Sequence, residues 1–265
     1  MNLALRARPR LLVAEEADEV AVRLAGVTKV YGKGRGSVTA LDDVSLDVGK
    51  GEFVCILGAS GCGKSTLLSL IAGLDRATAG WIDTPVAHPA VMFQEPGLLP
   101  WLTVRRNVEL PLRLRHSADS ERRVVVNRLL AMVKLIDFAD SRPHELSGGM
   151  RQRAALARAL AQDSQLLLMD EPFAALDAIT RDSLHDDLTR IWGDCGNTII
   201  FVTHNVREAV RLADRVVLMT SRPGRVGRIW DVDIPRPRTL DSAEVAALAT
   251  EITAKLRLEV SSDNR

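Results

Sequence analysis

The sequence predicts an α/β protein whose core is a sheet of parallel strands. Short, continuous apolar runs recur along the chain, and segments with helical periodicity separate them. Such runs are typical of parallel strands that are covered on both faces. One run, FVCIL at 53–57, leads into the glycine-rich stretch GASGCGKST at 58–66 and then into a helical pattern. A glycine-rich loop between a strand and a helix is typical of phosphate binding, so we expect a nucleotide site.

The other predicted elements follow from the same apolar patterns. Further strands are expected at 91–93, 166–169, 199–202 and 216–219, weaker ones at 20–24 and 44–48, and helices at 66–72, 121–133 and 241–258. The last helix would place Val245, Leu248, Ile252 and Leu256 on one face. From residue 96 to about 140 the character of the chain changes, and Pro100 and Pro111 interrupt it, which predicts an inserted helical subdomain.

Composition excludes several classes of protein. Lys plus Arg total 35 against 34 for Asp plus Glu, so the chain lacks the excess positive charge of a strongly basic nucleic-acid binder. The cysteines, Cys55, Cys62 and Cys195, have no paired spacing, which argues against a disulfide framework or zinc site and favours a reducing compartment. No apolar run approaches the ~18 residues of a membrane-spanning helix, so a membrane role would require partners. Residues 1–19 are expected to form a short, mobile leader.

The loop at 58–66 is the most specific phosphate-binding motif. Its members are Gly58, Ala59, Ser60, Gly61, Cys62, Gly63, Lys64, Ser65 and Thr66. The glycines let backbone N–H groups surround phosphate oxygens, Lys64 reaches the β- and γ-phosphates, and the Ser65 hydroxyl binds Mg²⁺. Because a helix start favours the thiolate, Cys62 is expected to react with thiol reagents and to be protected by ATP. The alternative is that Cys62 fills space and is shielded.

Two adjacent carboxylates end the apolar run LLLM. Asp170 stands where a strand-end carboxylate can hold the Mg²⁺ shell. Glu171 beside it can accept a proton from the attacking water as a general base. The alternative, two solvated acids that cap a strand, is weakened by the phosphate loop elsewhere in the chain.

Three further polar or aromatic residues are candidates for the same site. Gln94 and His204 each follow an apolar run, where Gln94 can contact Mg²⁺ or water and His204 the γ-phosphate. The alternatives are a polar loop residue and a structural histidine. Tyr31 precedes a glycine-containing loop and either stacks on adenine or covers the sheet edge.

A second helix start attracts anions. In LSGGMRQR, Ser147, Gly148 and Gly149 lead directly into a helical pattern. Free N–H groups and the positive end of the helix dipole favour an anion there. The chain therefore carries two phosphate-seeking helix starts far apart in sequence.

The order of these motifs resembles that of ATP-binding cassette proteins. Tyr31, the loop, Gln94, LSGGMRQR, LLLMDEP, AALD with Asp177, and His204 occur in the family's order over about residues 20–225. The resemblance implies a P-loop NTPase (RecA-like) core with an N-terminal antiparallel β-subdomain and an inserted helical subdomain. It also implies that ATP and Mg²⁺ bind between two copies, each ATP held by one copy's phosphate loop and the other copy's LSGG helix start.

Further segments resemble one branch of that family. MFQEPGLLPWLTVRRNV, SRPGRV and VDIPRPR are similar to the ATPases of nitrate, sulfonate and taurine importers, most closely the aliphatic sulfonate type. This implies a peripheral protein at the cytoplasmic face of the membrane, with permease subunits as partners, a solute-binding protein as an indirect partner and no nucleic acid. Leu98, Leu99 or Trp101 would line the permease docking cleft. Asn205 replaces the more usual aspartate and is expected to loosen a local hydrogen bond.

The expected organisation is a leader at 1–19, an ATPase domain at 20–238 with its helical subdomain at about 96–160, and a C-terminal helix and tail at 239–265. Two other functions compete with import. A soluble cassette ATPase acting on DNA or ribosomes usually has a coiled-coil insert or two cassettes, neither of which is present. A GTPase would need an Asn-Lys-x-Asp motif, which is absent.

Overall fold

The computed structural model describes residues 20–262 of the chain. In chain order its strands and helices are β1 (Val20–Tyr31), β2 (Val38–Gly49), β3 (Phe53–Gly58), α1 (Lys64–Ile71), β4 (Ala79–Asp83), β5 (Ala90–Met92), α2 (Val104–Leu114), α3 (Asp119–Met132), α4 (Gly148–Leu160), β6 (Leu166–Asp170), α5 (Ala178–Cys195), β7 (Thr198–Thr203), α6 (Val206–Leu212), β8 (Arg215–Met219), β9 (Val226–Asp231) and α7 (Ala243–Ser262). The predicted leader at 1–19 lies outside the described residues.

The larger sheet has six strands in the order β5-β6-β7-β3-β8-β9. Strands β5, β6, β7, β3 and β8 pair in parallel in that order, and β9 pairs antiparallel with β8 at one edge. Every residue of β3 and β7 is buried, as expected for central strands covered on both faces. The predicted α/β class with a parallel core is confirmed.

Two apolar layers cover the faces of this sheet. Because side chains alternate along a strand, Phe53, Cys55 and Leu57 of β3 join the cluster formed with helices α2 to α7. Val54 and Ile56 point into the opposite cluster, with β1, β2 and α1. Strands β2, β1 and β4 form the separate antiparallel sheet of the N-terminal part.

Helices α2, α3 and α4 form the inserted helical subdomain between β5 and β6. The expectation that Pro111 interrupts the chain is wrong, because α2 continues through it. A proline inside a helix removes one backbone hydrogen bond. Val104, Val108 and Leu112 of the same helix are buried in the core, and this packing offsets the loss.

Strands β4 and β9 were missed by the sequence analysis. Both lie at sheet edges, and most of their residues are exposed or half-buried. An edge strand with few buried side chains lacks the apolar run by which core strands are recognised. The C-terminal helix is confirmed as α7, with Val245 and Ile252 buried. Within residues 20–262, no helix is long and apolar enough to cross a membrane.

The register of the parallel strands aligns their carboxyl ends at one edge. Leu57 at the end of β3 is the partner of Thr203 at the end of β7. Asp170 at the end of β6 is the partner of Val202. The residues that follow these strands therefore meet on the same side of the sheet, where open α/β sheets bind ligands.

A buried asparagine fixes the segment that follows β5 and leads into α2. Asn107 is fully buried, and its Oδ1 accepts a hydrogen bond of 2.8 Å from the Leu99 N–H. Its Nδ2 donates to the carbonyl oxygens of Leu99, Leu102 and Thr103 at 3.0–3.2 Å. The Asn107 side chain therefore provides hydrogen-bond partners for the irregular backbone at 99–103.

Asn107→Ala should lower the free energy of unfolding by about 2–4 kcal/mol, because several buried backbone groups lose their partner. Urea unfolding followed by circular dichroism measures the change. The control is Asn127→Ala, since Asn127 is exposed on α3 and accepts one hydrogen bond from Arg105; its expected effect is below about 0.5 kcal/mol. Equal losses in the two variants would contradict the anchoring role of Asn107.

Candidate nucleotide site

The loop between β3 and α1 has the backbone shape that phosphate binding needs. Gly63 has a φ of 93°, and a Cβ there would lie 2.7 Å from Leu41 Cδ2 and 2.8 Å from the Ala40 carbonyl oxygen. Only glycine tolerates this positive φ and leaves room for the neighbouring Leu41 side chain and Ala40 carbonyl oxygen. No side chain caps the start of α1, so its first N–H groups are available to phosphate oxygens.

The ammonium group of Lys64 lies inside this loop. Its side chain is buried, and Nζ donates hydrogen bonds to the carbonyl oxygens of Gly58 at 2.8 Å and Ala59 at 2.9 Å. Nζ also lies 4.0 Å from Glu171 Oε1. The ammonium group thus lies between the loop and the carboxylates at the end of β6, and its contact with the β- and γ-phosphates stays a prediction.

Asp170 and Ser65, for which the sequence predicts a role as metal ligands, lie close together. Burial raises the pKa of the Asp170 carboxyl above its usual value, and a hydrogen bond with the Ser65 side chain partly opposes the shift. Both side chains offer oxygen atoms, the ligands that Mg²⁺ prefers. A cation bound there would also relieve the cost of burying the Asp170 charge.

Glu171 has an unusual backbone and a histidine partner. Its φ is 42°, in the left-handed region, which costs a non-glycine residue on the order of 1–3 kcal/mol. Its N–H donates to the Val202 carbonyl oxygen at 3.0 Å. Glu171 Oε2 lies 2.9 Å from His204 Nδ1, and because a carboxylate only accepts, that nitrogen carries the proton.

The phosphate loop, Gln94 and the two carboxylates border one cleft of about 460 Å³. Its lining consists of Ala40, Ser60, Gly61, Gly63, Lys64, Ser65, Thr66, Gln94, Asp170 and Glu171. Tyr31, His204, Asp177 and the helix start at 147–149 are not part of this lining within the described chain. The structure therefore brings the predicted phosphate, metal and base residues together and leaves a second group outside.

Tyr31, at the end of β1, is held by polar neighbours. Its hydroxyl donates to Asp75 Oδ2 at 3.0 Å, and Lys29 Nζ lies 4.7 Å from the centre of its ring. The ring is 42% exposed, which leaves one surface open for stacking. Its role in adenine binding stays a prediction.

Two parts of this second group, the segment 147–149 and Asp177, lie where the starts of α4 and α5 meet. Ser147 caps α4 by accepting from the Met150 N–H at 3.2 Å. Asp177 caps α5 by accepting from the Thr180 N–H at 3.0 Å, a hydrogen bond that lowers the pKa of Asp177. A Cβ on Gly149 would lie 2.4 Å from Thr180 Cγ2, so glycine permits this close approach of the two helices.

Two residues that attach α4 to the segment after β5 were not predicted from the sequence. The buried Gln152 donates from Nε2 to the Gln94 carbonyl oxygen at 2.9 Å. Arg158 donates to the carbonyl oxygens of Pro96 at 2.8 Å and Gly97 at 2.6 Å, and burial lowers its pKa. Polar residues on a helix are usually read as a solvated face, so no signal in the sequence pointed to these contacts.

Cys62 and Asn205 differ from their expected behaviour. The Cys62 side chain is 1% exposed in the apolar cluster below the loop, which supports the interpretation that it fills space rather than reacts. Asn205 caps α6, and its Oδ1 accepts from the N–H groups of Arg207 at 3.0 Å and Glu208 at 3.3 Å. Asparagine is as good a cap as aspartate, so no hydrogen bond is loosened at this helix start.

Comparisons with known proteins agree with this geometry. Residues 41–174 match the family model described as ABC transporter. The nitrate import ATP-binding protein NrtD of Synechocystis sp. is 45% identical over 81% of this chain and 83% of its own. The bicarbonate transport ATP-binding protein CmpD of Synechocystis sp. is 41% identical over 89% of this chain and 87% of its own.

A solved structure adds a dimer to this picture. It is a dimeric ATP-binding cassette in a post-hydrolysis state, bound to ADP and Pi. It is 35% identical to this chain with a TM-score of 0.71, and the alignment covers 81% of this chain and 100% of that one.

Fold and cleft together define a P-loop nucleotide hydrolase. The chain belongs to the ABC transporter family, and it is an ATPase of that family. This confirms the family membership that the order of the motifs predicts. The sulfonate-type branch stays a prediction, because these relatives are named for nitrate and bicarbonate.

Asp170→Asn should stabilise the nucleotide-free protein at pH 7. Since the pKa of Asp170 is raised on folding, the folded state binds this proton more tightly than the unfolded state. Stability therefore falls as the pH rises from the unfolded pKa through the folded pKa. The gain in the variant should be present at pH 7 and shrink as the pH falls toward about 4.

Melting temperatures at the two pH values test this, with Asp140→Asn as the control because Asp140 is 92% exposed. The account is contradicted if Asp170→Asn melts below the wild type at pH 7.

Proposed function

We propose that this chain is the ATP-hydrolysing subunit of an importer for a small anion, working at the cytoplasmic face of the membrane. The observation that carries the proposal is the meeting of Lys64, Ser65, Asp170 and Glu171 at one cleft. The import functions in the names of NrtD and CmpD favour a transporter over an ATPase acting on nucleic acid or ribosomes. They support nitrate as the solute, with aliphatic sulfonates and taurine as further candidates from the branch motifs.

The first part of the mechanism is the binding of Mg-ATP. The N–H groups of the loop and the Lys64 ammonium would hold the phosphates, as their positions around the helix start indicate. Ser65, Asp170 and Gln94 would hold Mg²⁺ through their side-chain oxygens. Tyr31 would face the adenine.

The second part is proton removal from water. Bound Mg-ATP supplies the phosphoryl group that water attacks, and Glu171 is placed to accept the proton of that water. Lys64 Nζ and the protonated Nδ1 of His204 lie beside the two oxygens of the Glu171 carboxylate and orient it. His204 would also contact the γ-phosphate.

The third part is a partner copy. The start of α4 lies outside the cleft, and its first N–H groups, which precede the Met150 N–H that Ser147 caps, suit an anion. Asp177 lies beside it at the start of α5, where its carboxylate already accepts from the Thr180 N–H. A homodimer in which each copy presents Ser147, Gly148 and Gly149 to the other copy's ATP gives these groups a ligand. The dimeric form of the similar cassette bound to ADP and Pi supports this assembly.

The fourth part is coupling to a permease, which would be fed by a solute-binding protein. Leu98 packs against the core and Leu99 is half-buried, whereas Trp101 is 67% exposed and Phe93 is 54% exposed. We therefore assign the docking contact to Trp101 and Phe93. Through the backbone contacts of Gln152 and Arg158, a permease bound there would act on both Gln94 and α4.

Lys64→Ala should weaken Mg-ATP binding at least tenfold, because the β- and γ-phosphates lose their counter-charge. Glu171→Gln should bind ATP normally and lose at least a hundredfold in turnover, because only the base is removed. Titration with a fluorescent ATP analogue and a phosphate-release assay separate the two effects. Turnover in Glu171→Gln equal to that of the wild type would remove Glu171 from its assigned role.

Trp101→Glu should abolish co-purification with the permease encoded nearest to its gene, and with it ATP-dependent nitrate uptake by vesicles. An unpaired charge in an apolar contact is expensive to desolvate. ATP binding and melting temperature should stay close to wild type, since the side chain is exposed. Val124→Glu is the matched control, because Val124 is 70% exposed on α3. If both variants keep the permease, the docking surface is elsewhere.

A further inference from the structure

The side chain of His204 is mostly exposed, so few of its own contacts fix its orientation. Its side chain is 61% exposed, and the hydrogen bond described for its ring is the one to Glu171. An exposed ring attached to a mobile turn would sample many orientations. Its aim at Glu171 must therefore come from the backbone of the turn between β7 and α6, which runs from Thr203 to Asn205.

A buried carboxylate fixes that turn from behind. Glu208 on α6 is 6% exposed, and its Oε2 accepts a hydrogen bond from the Thr203 hydroxyl. Thr203 Oγ1 in turn accepts from the Asn205 N–H at 3.0 Å. Asn205 Oδ1 accepts from the Glu208 N–H at 3.3 Å, which closes the ring of contacts around His204.

A second histidine holds the other oxygen of this carboxylate. His185 on α5 is 2% exposed, and its Nε2 lies 2.6 Å from Glu208 Oε1. Because the Glu208 carboxylate accepts, His185 donates from Nε2. Within the described residues His185 Nδ1 is buried without a hydrogen-bond partner, and the Asp182 carboxylate on the same helix lies 3.9 Å from it.

The place of His185 in the fold links two parts of the site. The ring packs against Phe173, with ring centres 5.6 Å apart, and Phe173 lies two residues after Glu171. Glu171, His204 and Glu208 also border one small cavity of about 20 Å³. Helix α5 is capped by Asp177 and begins beside the start of α4. His185 is thus rigidly attached to the helix that begins where the partner's ATP would bind.

We propose that His185 is a positioning residue for ATP hydrolysis: by holding Glu208, it fixes the turn that aims His204 at Glu171. The proposal rests on the hydrolytic roles assigned to Glu171 and His204 above. It predicts that the hydrogen bond donated by His185, rather than its volume, sets the turnover rate.

Two side chains of nearly equal size test this distinction. His185→Gln keeps an N–H donor near Glu208, whereas His185→Met fills the space without one. His185→Met should lower kcat about tenfold with KM for ATP changed less than about twofold, because only the aim of the catalytic group is lost. His185→Gln should recover most of the rate.

A packing control separates positioning from stability. Leu184 is fully buried beside His185 on α5, so Leu184→Ala should lower the melting temperature while leaving kcat close to wild type. If His185→Met does not fold, Thr203→Val, which removes the hydroxyl at constant shape, replaces it and should show the same loss of kcat. The loss should also vanish in a His204→Ala background, since a residue that acts through His204 has nothing further to lose there.

Glu171→Gln, measured in the same assay, distinguishes a failure of the positioning role from a failure of the proposed function. If Glu171→Gln is inactive while His185→Met, or Thr203→Val in its place, keeps the wild-type kcat, the positioning role is wrong and the proposed function stands. Equal losses in His185→Gln and His185→Met, or additive losses with His204→Ala, also overturn it. An active Glu171→Gln would instead overturn the proposed function.

Discussion

The parallel ladder that joins β6, β7, β3 and β8 is the constraint on which the site depends. Its register brings the ends of these strands to one edge, so that the loop after β3, the carboxylates after Met169 and the histidine after Thr203 emerge side by side. Since the strands are buried on both faces, a slip of one residue would turn every apolar side chain toward the wrong layer. The packing of the core therefore fixes the relative positions of the site residues at this edge.

Charge balance at that edge favours a ligand. Asp170 and Glu171 are adjacent carboxylates, Lys64 is the cation beside them, and burial already makes the charged form of Asp170 unfavourable. A bound cation would stabilise the carboxylates, while a phosphate would accept the N–H groups at the start of α1. The cleft is thus better suited to Mg²⁺ together with a phosphate than to either alone.

Sequence reasoning predicted the parts of the site that are contiguous in the chain. The loop at 58–66, the Asp170–Glu171 pair and the helix start at Ser147 are each local patterns with a local physical meaning. It did not predict the Asn107 anchor or the contact between His185 and Glu208, because each joins polar residues that only the fold brings together. Exposed edge strands were missed for a related reason, since packing rather than periodicity defines them.

The central claim is that one copy's Lys64 and another copy's Ser147 hold the same ATP. It is tested by mixing two chains that both carry Glu171→Gln, one with Lys64→Ala and the other with Ser147→Arg, and measuring the ATP retained after rapid gel filtration. In a mixed dimer, the loop of the Ser147→Arg chain faces the intact helix start of the Lys64→Ala chain, so the account predicts retained ATP in the mixture and none with either chain alone. No retention in the mixture, under conditions where Glu171→Gln alone retains ATP, would contradict it.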